Sequence, residues 1–180
     1  MHLDRLGAVS VLLLICGCSE APADRAAAER YARLGSPKLT GRVMDGANLL
    51  SAPTEAALTR RLAGLEARTT DQIVVVTLAD LEGKPIEEWG VGLGRGWRIG
   101  QAEKDNGLLL IIAPQERKVR IEVGYGLEAS VRDEEAKQII ASDILPHFRQ
   151  QQFEAGIEAG VDALFAELEK TSTLKAKESV

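Results

Sequence analysis

The stretch GLLLIIA, residues 107–113, is apolar or small at every position and carries no polar side chain at all. A strand of this kind has no face to give to water, so it belongs inside a sheet covered on both sides. It is too short to be read as a buried helix of ordinary length. The residues after it, PQER, form a hairpin turn, and KVRIEV at 118–123 then alternates. Val119, Ile121 and Val123 share one face, and Lys118, Arg120 and Glu122 share the other. This is an antiparallel edge strand with one wetter side. QIVVVTL at 72–78 is again apolar on both faces and is separated from 107–113 by a segment long enough for a crossover, so those two strands run parallel.

The intervening segments read as helices. Ser51 is a candidate N-cap with Pro53 in the first turn, and Leu58, Leu62 and Leu65 follow at helical spacing, giving a helix over 52–68. Ile86, Trp89, Leu93 and Trp97 also fall on one helical face. Gly90, Gly92, Gly94 and Gly96 lie among them, each costing about 1 kcal/mol relative to alanine, so that helix depends on tertiary packing. Asp133 is placed to cap a third helix, and Pro146 breaks or kinks its continuation. Phe153, Ile157, Val161, Leu164, Phe165 and Leu168 form the clearest 3.6-period stripe in the chain. Helices alternating with strands give an α/β fold. The expected architecture is a three-layer α/β/α sandwich around a small mixed sheet of about three to four strands, with a short strand possible near 41–44.

The N-terminal run MHLDRLGAVSVLLLICGC has an apolar core too short to span a membrane and suited to a signal peptide. Ile15, Gly17 and Cys18 resemble a bacterial lipobox, in which the cysteine is lipidated and becomes the first residue. A plain signal peptide or a buried helix is the alternative. The chain therefore divides into a lipoprotein signal peptide (1–17), a tether (18–40), a folded domain (41–170) and a polar tail (171–180). Ser19 after the cysteine favours outer-membrane sorting of a periplasm-facing, lipid-anchored protein. Lipidation of Cys18 would leave no free thiol, which excludes disulfides, thiolate nucleophiles and cysteine-ligated zinc. His147 would be the only histidine of the mature chain, which excludes multi-histidine metal sites. With a net charge of −5 and no basic stripe, nucleic acid is not an expected partner.

Topology brings acidic groups towards one edge of the sheet. The end of strand 118–123, with Gly124, Tyr125, Gly126 and Glu128, lies beside Asp105 and Asn106. Asp71, at the start of the parallel strand, shares that edge, as does the helix entrance at Asp133. Asp45 joins them if the chain path allows. Carboxylates gathered without basic partners raise one another's pKa values or recruit a cation, and oxygen ligands suit Ca²⁺, or Mg²⁺, better than zinc. Structural readings stand beside this one. Asp-Asn-Gly is a common turn tripeptide, Asp133 can be a cap, and Gly124 and Gly126 can simply supply positive φ.

VMDGANLLS, TTDQIVVVTLADLEG, KDNGLLLIIAPQERKVRIEVGYGLE and ILPHF, in that order, resemble the TPM domain family over residues 43–168. The resemblance implies an α/β/α sandwich in bacterial envelopes or thylakoids, with divalent-cation binding in some members and acid phosphatase activity ascribed to chloroplast relatives. Carried over, the cation motif falls on Asp105, and then on Asp45, Asp71 and Asp133. The chain departs from the family in its glycine-rich second helix and in Gln151-Gln152-Phe153, where relatives often have GDY. It also lacks a C-terminal apolar span, which agrees with an N-terminal lipid as the anchor. The expected function is a membrane-anchored envelope domain that binds a divalent cation and serves as an interaction or assembly module with an envelope protein partner. The alternative is a metal-assisted acid phosphatase acting on phosphate monoesters.

Overall fold

A computed structural model describes residues 37–178, with side chains through Lys170. The expected signal peptide, Cys18 and the tether as far as residue 36 lie outside the described residues. Four strands form one sheet in the order β1 (Val43–Asp45), β2 (Gln72–Thr77), β3 (Gly107–Ala113) and β4 (Lys118–Val123). The first three are parallel and β4 returns antiparallel to β3. The continuous apolar run is fully buried along all of β3, as its composition requires.

Alternation along the strands creates two cores. Val43, Ile73, Val75, Leu108, Leu110, Ile112 and Ile121 face one side. There they meet α1 (Ala52–Thr69), α3 (Asp133–Ile139), α4 (Leu145–Arg149) and α5 (Phe153–Glu178). Val74, Val76, Leu109, Ile111 and Ala113 face the other side, where α2 (Ile86–Gly96) lies on them through Ile86, Trp89 and Leu93. The expected α/β/α sandwich is what the chain forms. The stripe on α5 is buried as the spacing predicts: Ile157, Val161, Leu164 and Leu168 are at most 1% exposed. Burial of this kind contributes roughly 1.5–3 kcal/mol per side chain. α5 continues to Glu178, through most of the stretch read as a polar tail.

The two parallel crossovers advance in the same direction across the sheet, yet α1 and α2 cover opposite faces. They therefore have opposite hands, and one of them departs from the right-handed preference of such units.

Several local features explain the elements. Ser51 caps α1, its hydroxyl accepting from the Thr54 amide, and Thr70 closes the helix in the left-handed region at φ 69°. Glycine in α2 has a packing reason at Gly90, where a Cβ would lie 2.6 Å from Glu122 Oε2 and 2.9 Å from Arg120 Nε. The helix can thus rest directly on the Arg120–Glu122 ion pair of β4. Trp89 is buried and donates its indole N–H to the Leu81 carbonyl at 3.0 Å. Asp133 is not the cap of α3. Arg132 holds that position and Asp133 is the first helical residue, where its charge suits the dipole. Pro146 does not end the helical path. The backbone widens into a π turn over Ile140–Ile144, and Pro146 then sits in the first turn of α4, where its missing N–H costs nothing.

Candidate functional site

The motif in front of β3 is a structural knot. Asn106 is 4% exposed, and its amide reaches in two directions. Nδ2 donates to the Thr70 carbonyl at 2.7 Å and approaches Thr70 Oγ1 at 3.2 Å and Asp71 Oδ1 at 3.3 Å. Oδ1 accepts from the Gln101 amide at 2.9 Å. One side chain thus ties the end of α1, the start of β2 and the loop before β3. Thr70 is β-branched and left-handed, an uncommon combination, and these bonds together with Lys104 Nζ on its hydroxyl at 3.1 Å hold it there. Gln72 extends the knot: its amide donates to the Asn106 carbonyl, and its side chain joins Gly100 to Glu66.

Gly124–Gly126 does lie against 104–107, as the antiparallel return implies. The Gly124 amide donates to Gly107 O at 2.8 Å and the Gly126 amide to Asp105 O at 3.1 Å. The glycines are not there for positive φ: Gly124 has φ −71°, and the positive-φ glycines among the described residues are Gly83 and Gly100. What they permit is backbone contact. A Cβ on Gly124 would collide with Asp105 O, and one on Gly126 with Lys104 O. Asp105 itself takes φ 48°, is exposed, and accepts no hydrogen bond on its carboxylate among the described residues. Tyr125 stands 74% exposed beside it.

The four aspartates expected at one edge do not assemble there. Asp45 is level with Thr77 at the opposite end of the sheet. Five strand steps separate Thr77 from Gln72, next to Asp71, a distance of roughly 17 Å. The Asp45 carboxylate is engaged locally, accepting from the Leu49 amide at 3.0 Å, the Leu50 amide at 2.8 Å and Thr77 Oγ1 at 2.5 Å. That end is the carboxyl edge where β1 and β2 send their helices to opposite faces, the crevice in which open α/β sheets usually take ligands. Here the loop after β1 lies across it, with the Gly46 and Ala47 amides bonded to Thr77 O and Oγ1. Asp133 and Glu128 line a different surface, described below. Among the described residues no group of three or more His, Cys, Asp or Glu is placed to hold a metal ion. The residues present do not fit a four-carboxylate cation cage. Asp71 and Asp105 remain as two carboxylates on one rim, flanking Asn106.

Sequence reasoning passed over a second feature, the open side of β4. Because the Gly124 amide bonds to Gly107 O, ladder bonds to β3 fall on residues 124, 122, 120 and 118. The N–H and C=O groups of Val119, Ile121 and Val123 therefore point away from the sheet. No backbone group from a neighbouring loop or helix meets them among the described residues. They form the floor of a groove of about 680 Å³, walled by Ile86 and Glu87 of α2 on one side and by Val131 to Ile140 on the other. Arg120 pairs with Glu122 at 2.6 Å and Arg132 with Glu135. The latter contact lowers the Glu135 carboxyl and raises the Arg132 guanidinium relative to their ordinary values. Glu87, Glu128, Asp133 and Glu134 have no ion-pair partner among the described residues. The alternating pattern of KVRIEV signalled an edge strand, but one wall beside it, α2, comes from the far side of β3 in the chain and is not legible from the strand itself.

No helix among the described residues is long and apolar enough to cross a membrane. His147 makes a surface contact to Gln152 Oε1 at 3.3 Å.

Comparison with solved structures finds the same fold in three bacterial domains studied in solution. The N-terminal domain of a protein from P. gingivalis is 33% identical, with 80% of this chain and 88% of that one covered and a TM-score of 0.69. The N-terminal domain of the cg2496 protein from Corynebacterium glutamicum is 19% identical over 73% and 82% of the two chains, TM-score 0.56. The BA42 protein from Bizionia argentinensis is 21% identical over 67% and 82%, TM-score 0.58. No curated protein matches the chain. A family model described as the TPM domain matches residues 43–167, from β1 well into α5 and including both the Asn106 knot and the β4 groove. The chain belongs to the TPM domain family.

Proposed function

We infer that this chain is a lipid-anchored interaction module of the bacterial cell envelope, held at a membrane through Cys18 and docking an envelope protein at the β4 groove. The open, walled edge of β4 carries the docking part of this reading, because it is a recessed surface with unpaired backbone groups and unpaired carboxylates. The polar residues of the motif-bearing blocks, by contrast, are engaged in holding the backbone: Asn106 at the knot and Asp45 at the β1 loop. Anchoring rests on the residues around Cys18. Labelled palmitate should enter the wild-type protein and not Cys18→Ala, and the variant should leave the membrane fraction. An unlabelled, soluble wild type rules the anchor out. For docking, a photo-crosslinking residue in place of Glu134 should give a discrete adduct in cells, while one in place of Arg60 on α1, outside the groove, should not. Identical adducts from both positions, or none from either, refute the docking role.

A divalent cation is a second reading, favoured by Asp71 and Asp105 on one rim with the Asp105 carboxylate unengaged. Ca²⁺ would complete its shell with water and backbone carbonyls in a flexible geometry, whereas Mg²⁺ binds through one or two carboxylates and keeps several waters. Lys104 beside them is the group that would hold a phosphoryl oxygen if the domain hydrolysed phosphate monoesters. Calorimetric titration with Ca²⁺ tests this. Saturable binding that disappears in Asp105→Ala and persists in Asp45→Ala supports it, and no binding to wild type removes it. Hydrolysis of a generic phosphate ester that survives Asp105→Ala would place the activity elsewhere.

A further inference from the structure

We propose that β4 accepts an extended, basic polypeptide segment as a fifth strand of the sheet. The proposal rests on the docking reading above and states its chemistry. Val119, Ile121 and Val123 offer three outward pairs of N–H and C=O groups, the repeating pattern that strand addition requires. An isolated edge with such groups is ordinarily blunted or covered. Here the charged side chains Lys118, Arg120 and Glu122 all point to the α2 side of the sheet, leaving the backbone edge itself clear.

The walls select the occupant. A single strand needs about 4.8 Å of width beside β4, which a groove between two helices provides. A second copy would have to bring its own α2 and α3 walls to the same edge, and its carboxylates would face these. Five acidic residues, Glu87, Glu122, Glu128, Asp133 and Glu134, line the groove against three basic ones, Arg120, Arg132 and Lys137. Arg120 and Arg132 are already paired with Glu122 and Glu135. The remaining field is therefore negative, with Lys137 its one uncompensated cation among the lining residues. Side chains of an added strand alternate between the walls. Those turned to α3 meet Val131 and Ile140 and take apolar groups. Those turned to α2 meet the unpaired Glu87, beside the Arg120–Glu122 pair, and take lysine or arginine. The partner segment is thus one that alternates apolar and basic residues.

The test uses the full chain and an acetylated eight-residue peptide of alternating lysine and valine, with a glutamate–valine peptide as control. Hydrogen exchange at the amides of Val119, Ile121 and Val123 should slow about ten-fold or more with the lysine peptide and stay unchanged with the glutamate peptide. Reversing the exposed charge of the α2 wall with Glu87→Lys should weaken binding, read by fluorescence anisotropy, by about ten-fold or more. Val119→Pro removes one outward donor without touching a ladder bond and should abolish binding. If that variant does not fold, the charge reversal decides. Equal binding of the two peptides, an unchanged affinity after charge reversal, or protection confined to other segments overturns the proposal. So does a dimer, seen by light scattering, whose β4 amides are protected and which the lysine peptide does not dissociate. A groove crosslink at residue 134 without protection of these three amides would refute strand addition while leaving docking intact.

Discussion

Replacing Asn106 tests whether the DNG motif is a knot or a surface turn. Asn106→Ala removes the 2.7 Å bond to the Thr70 carbonyl and the 2.9 Å bond from the Gln101 amide. Each such bond contributes about 0.5–1.5 kcal/mol net, and a buried group left without a partner costs about 1–3 kcal/mol. Gln101 is exposed and its amide can turn to water. Thr70 is half-buried and held in a left-handed conformation that the lost bonds helped to maintain. The expected destabilisation is about 2–4 kcal/mol, a large share of the total stability of a domain. Asn106→Asp sharpens the test, because it keeps the shape and inverts the chemistry. A carboxylate there faces the Thr70 carbonyl and the Asp71 carboxylate with no proton to offer, so near pH 7 it should cost more than alanine. The folded state disfavours the charged form, which raises the folded pKa of the new carboxyl above its unfolded value. The penalty is then complete above the folded pKa and fades as pH falls and the group regains a donor. Urea unfolding with a common m-value, repeated from pH 7 to pH 4, measures both variants. A loss below about 0.5 kcal/mol for Asn106→Ala, or an aspartate variant as stable as wild type at pH 7, refutes the reasoning.

Gly126→Ala should destabilise by about 3 kcal/mol or more in the same assay, since its Cβ would meet the Lys104 carbonyl on a backbone fixed by two strands, while Gly94→Ala in α2 meets open space and should stabilise by up to about 1 kcal/mol. Asp45→Ala should cost about 2–4 kcal/mol, because three donors lose their acceptor, and should leave any Ca²⁺ affinity unchanged. Hydrogen bonds from Ser51 and Thr54 hold the Glu154 carboxyl below its ordinary value of 4.5, so its contribution to joining α1 and α5 is present above that pH and is lost as pH falls through the lowered folded value. Wild type should therefore exceed Glu154→Gln in urea midpoint near neutrality, and the difference should shrink below pH 4.5.

Periodicity and composition determined the elements of this protein and the order of its layers. An apolar run at every position of 107–113 has one physical solution, a doubly covered strand. The hairpin return of 118–123 correctly placed Gly124–Gly126 beside 104–107, and the spacing of Ile157, Val161, Leu164 and Leu168 picked out the buried stripe of α5. What the side chains do at the sheet edges came only from the tertiary structure. Asp45 and Asp71 are alike in sequence, each at a strand terminus. They lie at opposite ends of the sheet because Asp45 ends β1, Asp71 precedes β2 and the two strands run parallel, a pairing that no local pattern encodes. Asn106 read as a turn residue because its partners, Thr70 and Gln101, lie in separate segments. The role of Gly124 likewise depends on which backbone passes within contact distance. The β4 groove is built from α2, β4 and the 131–140 segment, and its walls stand apart because α2 covers one face of the sheet and α3 the other. Local sequence sets hydrogen-bonding capacity and hydrophobic period, whereas the choice of partner is set by distances that exist only once the sheet has closed.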